Sequence, residues 1–406
     1  MHDVFILGLG YVGVPLAINA SRAGFNVTAF DIDSNKVEKL RLGDCDSPDI
    51  QRDELINLQI EGSLKLVNQL PKAPPNSIFI ITVPTPLNAD RKPDLSYVEK
   101  ACEFIANSIN ENCLVINEST SYIGTLRNFI KPKIDIISNI SSIKYVVAPE
   151  RIDPGNENWN LKNTPRVLGG ITIESLEMAH NFYTKFCDEV ISVSSPEVAE
   201  ASKLLENSFR QVNIAFINEF SKISKEFNFL TSEVIRAASS KPFGFMPFFP
   251  SLGVGGHCIP VDPYYLSFSA TQIGNSTHLL DIANQINFKQ PKALAMEIEG
   301  MFQKNLSGKN IQIAGISYKI GISDLRESPA MYLIDELTKM GASVKWHDPI
   351  VKNFKSQVSS PLDPRIDLGV IVTPHKEIDF SPWRETNTNV IDLSTTSENF
   401  GWPKYF

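Results

Sequence analysis

Residues 253–262 run Gly253-Val254-Gly255-Gly256-His257-Cys258-Ile259-Pro260-Val261-Asp262. Cys258 follows glycines that let backbone approach a ligand closely, and the carboxylate of Asp262 comes four residues on. That setting suits a thiolate nucleophile better than a core thiol. Near the other end of the chain, Gly8-Leu9-Gly10-Tyr11-Val12-Gly13 directly follows the apolar run Val4-Phe5-Ile6-Leu7. A helix of small and apolar residues then ends near Gly24, and a second strand, Asn26-Val27-Thr28-Ala29-Phe30, ends in Asp31. Strand, glycines, helix, strand and acid in register predict a dinucleotide site. Gly8 permits the tight turn, Gly10 lets a pyrophosphate reach the backbone, and Gly13 allows close helix–strand packing. The helix N-terminus offers free N–H groups to the phosphates. Asp31 would take the ribose hydroxyls and repel a 2′-phosphate, favouring NAD over NADP. A redox cofactor and a nucleophilic thiol together suggest oxidation of an alcohol or aldehyde through a covalent thioester.

The elements that would position these groups read as α/β. Ser77–Thr82, Leu114–Asn117 and Tyr145–Val147 are expected as further parallel strands, each ending in a polar turn that holds Thr85, Thr120 or Glu150. Ligands of open α/β sheets bind beyond the carboxyl ends of strands, so these three residues are placed to face them. Each also has a bland alternative: a Pro-bounded turn for Thr85, a helix cap for Thr120, a surface charge for Glu150. Ser194-Ser195-Pro196-Glu197 starts a long helix to about Phe227. Lys203 and Asn207 share one face of it, although spacing alone reads Lys203 more readily as a solvated or ion-paired lysine than as a catalytic one. Lys36 has the same solvated alternative. The apolar stripe of this helix predicts a spine between domains and a seam with a second copy of the chain. Beyond it, Asn310–Gly315, Ser343–Trp346, Leu368–Val372 and Val390–Leu393 predict a second nucleotide-like fold without the triple-glycine loop. Lys319, Asp324 and Arg326 cluster after its first strand, where they hold a phosphate or ribose, or merely form a surface ion cluster.

Composition bounds the alternatives. A chain of 406 residues should form two or three domains, and 42% hydrophobic with 21% charged residues is ordinary for a soluble globular protein. A formal net charge of −8 argues against nucleic-acid partners and leaves any anionic substrate to local Lys/Arg residues. The five cysteines show no CxxC or Cys/His spacing, which argues against a disulfide framework or a metal site and fits a reducing cytoplasm. The apolar opening follows His2-Asp3 rather than a cationic segment, and no run of 18 apolar residues occurs, so neither a signal peptide nor a membrane span is expected.

Six segments in this order resemble the UDP-glucose/GDP-mannose dehydrogenase family along essentially the whole chain. They are the Gly8–Gly13 loop, Val83-Pro84-Thr85-Pro86, Ala148-Pro149-Glu150-Arg151-Ile152-Asp153-Pro154-Gly155, Lys203-Leu204-Leu205-Glu206-Asn207, Gly255-Gly256-His257-Cys258, and Asp324-Leu325-Arg326-Glu327-Ser328-Pro329. The resemblance implies an N-terminal Rossmann NAD-binding domain (1–193), a long central helix with an all-α middle region carrying the cysteine loop (194–297), and a C-terminal Rossmann-like UDP-sugar-binding domain (298–406). It implies a four-electron oxidation of a nucleotide sugar at C6, with NAD as cofactor. Cys258 would be the nucleophile and Lys203 the oxyanion stabiliser. Asn207 would orient the substrate, Asp262 would position a water, and Glu150 would activate the hydrolytic water with Thr120 beside it. By the same match Gly8, Gly10, Tyr11, Val12, Gly13, Asp31, Lys36, Thr85, Thr120 and Arg326 would hold NAD. Glu150, Arg151, Lys203, Asn207, Phe249, Gly255 and Lys319 would meet the substrate, with the aromatic segment 241–251 bordering it.

Two departures narrow the branch. Many UDP-glucose members carry a lysine where this chain has Val261, and a second acid where it has Pro154. The chain looks more like the branch acting on UDP-N-acetylhexosamines, which it resembles in Gly256–Pro263 and Phe243–Met246, although Ser251 and Leu252 stand where that branch often has Gly-Pro. The expectation is therefore a UDP-N-acetylglucosamine 6-dehydrogenase of surface-polysaccharide synthesis, cytoplasmic and at least dimeric. The alternatives are the mannosamine, galactosamine or glucose enzymes, a two-electron sugar-acid dehydrogenase, and a non-catalytic NAD-binding protein.

Overall fold

The computed structural model describes residues 2–45, 50–153, 155–156, 158–395, 400–402 and 404–406; Pro154 lies outside them. Contacts divide the chain into two compact units, one of Met1–Glu206 with Tyr264–Asn275 and one of Asn207–Pro263 with Ser276–Phe406.

The first unit contains β1 (Asp3–Leu7), α1 (Gly13–Arg22), β2 (Asn26–Phe30), α2 (Ser34–Arg41), α3 (Arg52–Ile60), β3 (Leu64–Val67), β4 (Ile78–Ile81), α4 (Ser96–Ser108), β5 (Leu114–Asn117), α5 (Lys131–Ser138), β6 (Lys144–Val147), β7 (Arg166–Gly170), α6 (Ile173–Tyr183) and β8 (Val190–Val193). Its sheet runs β3-β2-β1-β4-β5-β6-β7-β8, parallel except between β6 and β7. The first six strands have the order of a dinucleotide-binding fold. Alternation along each strand feeds two cores, since successive side chains face opposite sides. Val4, Ile6, Val27 and Ile80 pack toward α1 and α6. Phe5, Leu7, Phe79 and Ile81 pack toward α4 and α5. Strands buried on both faces read as near-continuous apolar runs, which is why β1, β4 and β5 are legible.

The chain continues through α7 (Pro196–Glu226), α8 (Thr231–Ser239), α9 (Asp262–Gln272) and α10 (His278–Met301). Ser195 Oγ accepts the Val198 N–H at 3.4 Å, capping α7 where the Ser-Pro-Glu signal places its start. The second unit's sheet is built from β9 (Asn310–Ala314), β10 (Ser343–His347), β13 (Leu368–Ile371) and β14 (Val390–Asp392), parallel and ordered β10-β9-β13-β14. A hairpin of β11 (Asn353–Phe354) and β12 (Gln357–Val358) lies between β10 and β13 in the chain; α11 (Pro329–Lys339) and α12 (Ser381–Glu385) complete the unit. Leu294 and Ile298 of α10 and Leu333 and Leu337 of α11 bury against Ile311, Ile313 and Trp346. Ser328 immediately precedes α11, but its hydroxyl donates to the Ile316 carbonyl at 2.7 Å rather than capping the helix.

Candidate active site

The glycines of the first loop have separable roles. A Cβ on Gly8, at φ +100°, would lie 2.8 Å from the Thr82 carbonyl oxygen, and one on Gly13 would lie 1.9 Å from the Gly8 oxygen. A Cβ on Gly10 would meet nothing within 4 Å. Gly8 and Gly13 are therefore required by the protein's own packing, whereas the space at Gly10 is left for something else. Asp31, at the end of β2, accepts the Leu9 N–H at 2.9 Å through Oδ2 and the Asp33 N–H at 3.0 Å through Oδ1. Lys36 pairs with it at 3.1 Å. Each carboxylate oxygen keeps acceptor capacity for a ribose hydroxyl, so these residues fit an NAD ribose and pyrophosphate. Tyr11 and Val12 lead into α1, Thr85 follows β4, and Thr120 lies in the turn after β5. The Thr85 carbonyl accepts the Tyr265 hydroxyl of α9 at 3.2 Å.

Beyond β5 and β6 the structure assembles a buried charge cluster that the sequence does not announce. Arg166, the first residue of β7, lies 3.3 Å from Glu118 and 3.6 Å from Glu150. Tyr183 donates its hydroxyl to Glu118. Burial pushes the Glu118 carboxyl up to about 7 against the pull of Arg166. Glu150 is thus held from one side by a buried guanidinium, while its own oxygens accept the Ile152 N–H at 2.9 and 3.0 Å. Glu118 reads in sequence only as a polar turn residue near Thr120, and nothing in the sequence singles out Arg166; no spacing signal pairs them. Arg151 is tied to Glu206 of α7 at 2.8 Å and to the Pro165 carbonyl at 2.9 Å. Lys203 is buried on α7, one turn before Asn207.

In the second unit the cysteine loop is anchored at both ends. Asn218 of α7 accepts the Ser251 N–H at 2.8 Å and donates to Asn287 of α10 at 3.1 Å. A Cβ on Gly253 would stand 2.7 Å from the Asn287 carbonyl oxygen. Added carbons on Gly255 and Gly256 would each come within 2.8 Å of Tyr318, and the Gly256 N–H donates to the Arg326 carbonyl at 2.9 Å. The absent side chains at Gly255 and Gly256 therefore serve loop–loop packing, where the sequence alone suggests ligand approach. After the thiol, the Val261 and Asp262 N–H groups donate to the Cys258 carbonyl at 3.0 and 2.8 Å, closing a turn from which α9 starts. Asn207 donates to the Asp262 carboxylate at 2.5 Å. The Cys258 sulfur lies 2.9 Å from Nδ1 of His257.

All five cysteines are free, with Cys258 and Cys45 half-buried. Burial pushes the Cys102 thiol up to about 12 and the Cys187 thiol up to about 11, so neither supplies a thiolate at neutral pH. Phe243, Phe245, Met246 and Phe249 in the aromatic segment are exposed. Arg326 pairs with Asp324 through two N–H groups, and the Tyr318 N–H donates to the Asp324 carbonyl at 3.2 Å, folding the loop that carries Lys319. Beneath that loop the carboxylate of Asp348 accepts the Ile316 N–H at 2.9 Å, and His375 lies 3.2 Å from it and 3.0 Å from the Ser317 hydroxyl. Among the described residues no group of His, Cys, Asp and Glu side chains could hold a metal ion, and no helix is long and apolar enough to cross a membrane.

The chain is similar to known proteins over most of its length. The chain is 32% identical to the UDP-N-acetyl-D-mannosamine dehydrogenase of Pyrococcus horikoshii over 393 residues, 94% of this chain and 91% of that protein. It is 33% identical to the UDP-N-acetyl-D-glucosamine 6-dehydrogenase of Salmonella typhi over 355 residues, 86% and 82% of the two chains. A solved structure of a UDP-D-ManNAc dehydrogenase from Pyrococcus horikoshii superimposes with a TM-score of 0.88 at 30% identity, covering 98% of this chain and 97% of that one. Three domain models of one family match in series: an NAD binding domain at residues 2–187, a central domain at 197–289 and a UDP binding domain at 312–395. The chain therefore belongs to the UDP-glucose/GDP-mannose dehydrogenase family and is an NAD-dependent nucleotide-sugar dehydrogenase.

Proposed function

We propose that this enzyme oxidises the C6 hydroxyl of a UDP-N-acetylhexosamine to the carboxylate, in two steps joined by a thioester on Cys258. The observation that carries the reading is the constellation within the second unit. A half-buried thiol sits on an anchored turn whose next carboxylate, Asp262, is held by Asn207. In the first step the C6 hydroxyl loses its proton toward a water positioned by Asp262 and C6 loses a hydride, leaving an aldehyde. The Cys258 sulfur adds to that carbonyl, and loss of the second hydride leaves the thioester. Bound NAD⁺ supplies the hydride acceptor for each oxidation. Lys203 stabilises the oxygen as negative charge develops on it, an effect whose removal typically costs about 10²–10³ in rate. Asn207 orients the substrate, and Glu150, braced by Arg166, activates the water that releases the acid, with Thr120 in the same polar network. Gly8, Gly10, Gly13, Asp31, Lys36, Thr85 and Arg326 serve NAD. Lys319, Arg151, Phe249 and backbone at Gly255 serve the sugar nucleotide.

Relatives named for the mannosamine and the glucosamine sugars have nearly equal identity to this chain. The proposal therefore commits to the N-acetyl group and leaves the glucosamine expectation to assay. Leu205, Phe209, Phe216 and Ile223 form one exposed apolar stripe along α7, with exposed Phe227 just past its end; we assign it to the homodimer seam. The five free thiols accord with a reducing, cytoplasmic setting for a step of surface-polysaccharide synthesis. The test is NADH formation with a panel of UDP-sugars. Turnover of UDP-N-acetylglucosamine or UDP-N-acetylmannosamine, with at most a trace on UDP-glucose, is expected; fast turnover of UDP-glucose alone would overturn the assignment.

A further inference from the structure

We propose that His257 is the base that takes the proton from the Cys258 thiol. The inference rests on Cys258 being the nucleophile assigned above. A free cysteine has a pKa of about 8.5, so only about 3% is thiolate at pH 7; attack on an aldehyde needs a nearby acceptor for the proton.

The structure supplies one at contact distance, Nδ1 of His257, 2.9 Å from Sγ. With the ring proton on Nε2, Nδ1 directs its lone pair at S–H. Side chains adjacent in sequence rarely hold such a contact unless the backbone between them is fixed, and here it is fixed on both sides. Before His257, the Gly256 N–H is held by the Arg326 carbonyl at 2.9 Å and the space beside Gly256 is filled by the Tyr318 ring. After Cys258, two N–H groups close on its carbonyl. The other sulfurs differ in kind: Cys113 and Cys187 meet the carbonyl oxygens of Pro74 and Leu161, at 3.7 and 3.6 Å, which accept a hydrogen bond but do not take a proton. Metal binding does not account for the pair, since no ligand group surrounds it among the described residues. Charged groups near this turn include Asp262, held by Asn207, and the closed Arg326–Asp324 pair.

The step balances without an oxidant. The thiol proton moves to Nδ1, the sulfur electron pair forms the C–S bond, and the aldehyde π pair moves to its oxygen. The imidazolium proton then passes to that oxygen, giving the neutral thiohemiacetal that the second oxidation consumes.

The test is the rate of iodoacetamide alkylation of Cys258 in the free enzyme, read by peptide mass and compared between wild type, His257→Asn and His257→Gln at pH 7.0 and 9.5. Both variants should lose about 10- to 30-fold at pH 7.0, the span set by the thiolate fraction of an unassisted thiol. At pH 9.5, where such a thiol ionises unaided, all three should agree within about twofold. A loss below twofold at pH 7.0, or an equal loss at both pH values, would overturn the proposal. Because alkylation needs no substrate, its outcome is separate from that of the thioester route. One NADH per sugar, with alkylation still lost in the variants, would sink the route and leave the proton transfer standing.

Discussion

The two nucleotide folds of this chain begin alike and then part. Gly8 follows β1 and Gly315 follows β9, both at positive φ, each with its Cβ position blocked by the carbonyl oxygen of a threonine just past a neighbouring strand, Thr82 and Thr373. Leu9 N–H donates to Asp31 and Ile316 N–H to Asp348, both at 2.9 Å. From there the surroundings differ. Asp31 pairs with the partly exposed Lys36, and Gly10 leaves open space beside it. Asp348 pairs with the fully buried His375, and where Gly10 stands in the first loop the second has the buried Ser317, whose hydroxyl donates to the Lys319 carbonyl at 2.9 Å. α1 begins at the end of the glycine loop, whereas α11 waits until Pro329, after a loop bearing Lys319, Asp324 and Arg326. On the proposed function, one scaffold offers backbone N–H groups to the NAD pyrophosphate in the first unit and the Lys319 cation to the sugar nucleotide in the second. The strand–turn geometry is common property; the residues after the first glycine select the ligand.

The shared part should break most severely. Gly315→Ala puts a methyl 1.7 Å from the Thr373 oxygen in a left-handed backbone, and should cost about 4 kcal/mol in urea unfolding, with Gly8→Ala costing less. The divergent part should separate binding from stability. Gly10→Val should weaken NAD about 100-fold, near 2.7 kcal/mol, with the thermal midpoint and UDP binding unchanged, since a Cβ there meets nothing.

The units should also respond oppositely to pH. Burial raises Glu118 and Glu200 in the first unit, each to about 7. A carboxyl raised above its unfolded value binds a proton in the native state that the unfolded chain releases, so stability falls as pH climbs from about 4.5 to 7. Glu200 accepts the Gly124 and Leu126 N–H groups, and Glu200→Gln mimics its protonated form. It should remove on the order of 2 kcal/mol of that decline, measured by unfolding at pH 5 and 8. Asp348 runs the other way. Burial alone would raise it, but the hydrogen bond and charge of His375 and the backbone N–H donors lower it, so its contribution holds above the ordinary carboxylate range and is lost as pH falls through its lowered value. The smallest effect should fall on the two aspartates themselves. Asp31→Asn should weaken NAD about tenfold, about 1.4 kcal/mol, and narrow the preference over NADP. Asp348→Asn should leave NAD binding unchanged and lower stability by about 1 kcal/mol.

What the sequence revealed matches this division. β1, β4, β5 and β9 are buried runs bounded by glycine or polar turns, and their apolar content alone marks them. β3, β7 and β8 left no such trace. β8 is an edge strand, half-exposed or exposed along its length, while β7 contains two glycines and opens on Arg166. Cys258 and Asp262 stand out as candidates by residue type and chain neighbours, whereas Lys203 is picked out only by the family resemblance. The Glu118–Arg166–Glu150 cluster and the Asp348–His375–Ser317 cluster were not legible, because each joins strand ends far apart in the chain. The His257 contact depends on side-chain rotation, which no spacing encodes.

The central claim is that one sulfur carries the substrate between two oxidations. Counting NADH formed per UDP-N-acetylhexosamine consumed, in wild type and in Cys258→Ala, tests it most directly. The account predicts two per sugar in wild type, with uronate as product, and no net uronate from the variant. One NADH per sugar, or undiminished uronate without the thiol, would contradict it.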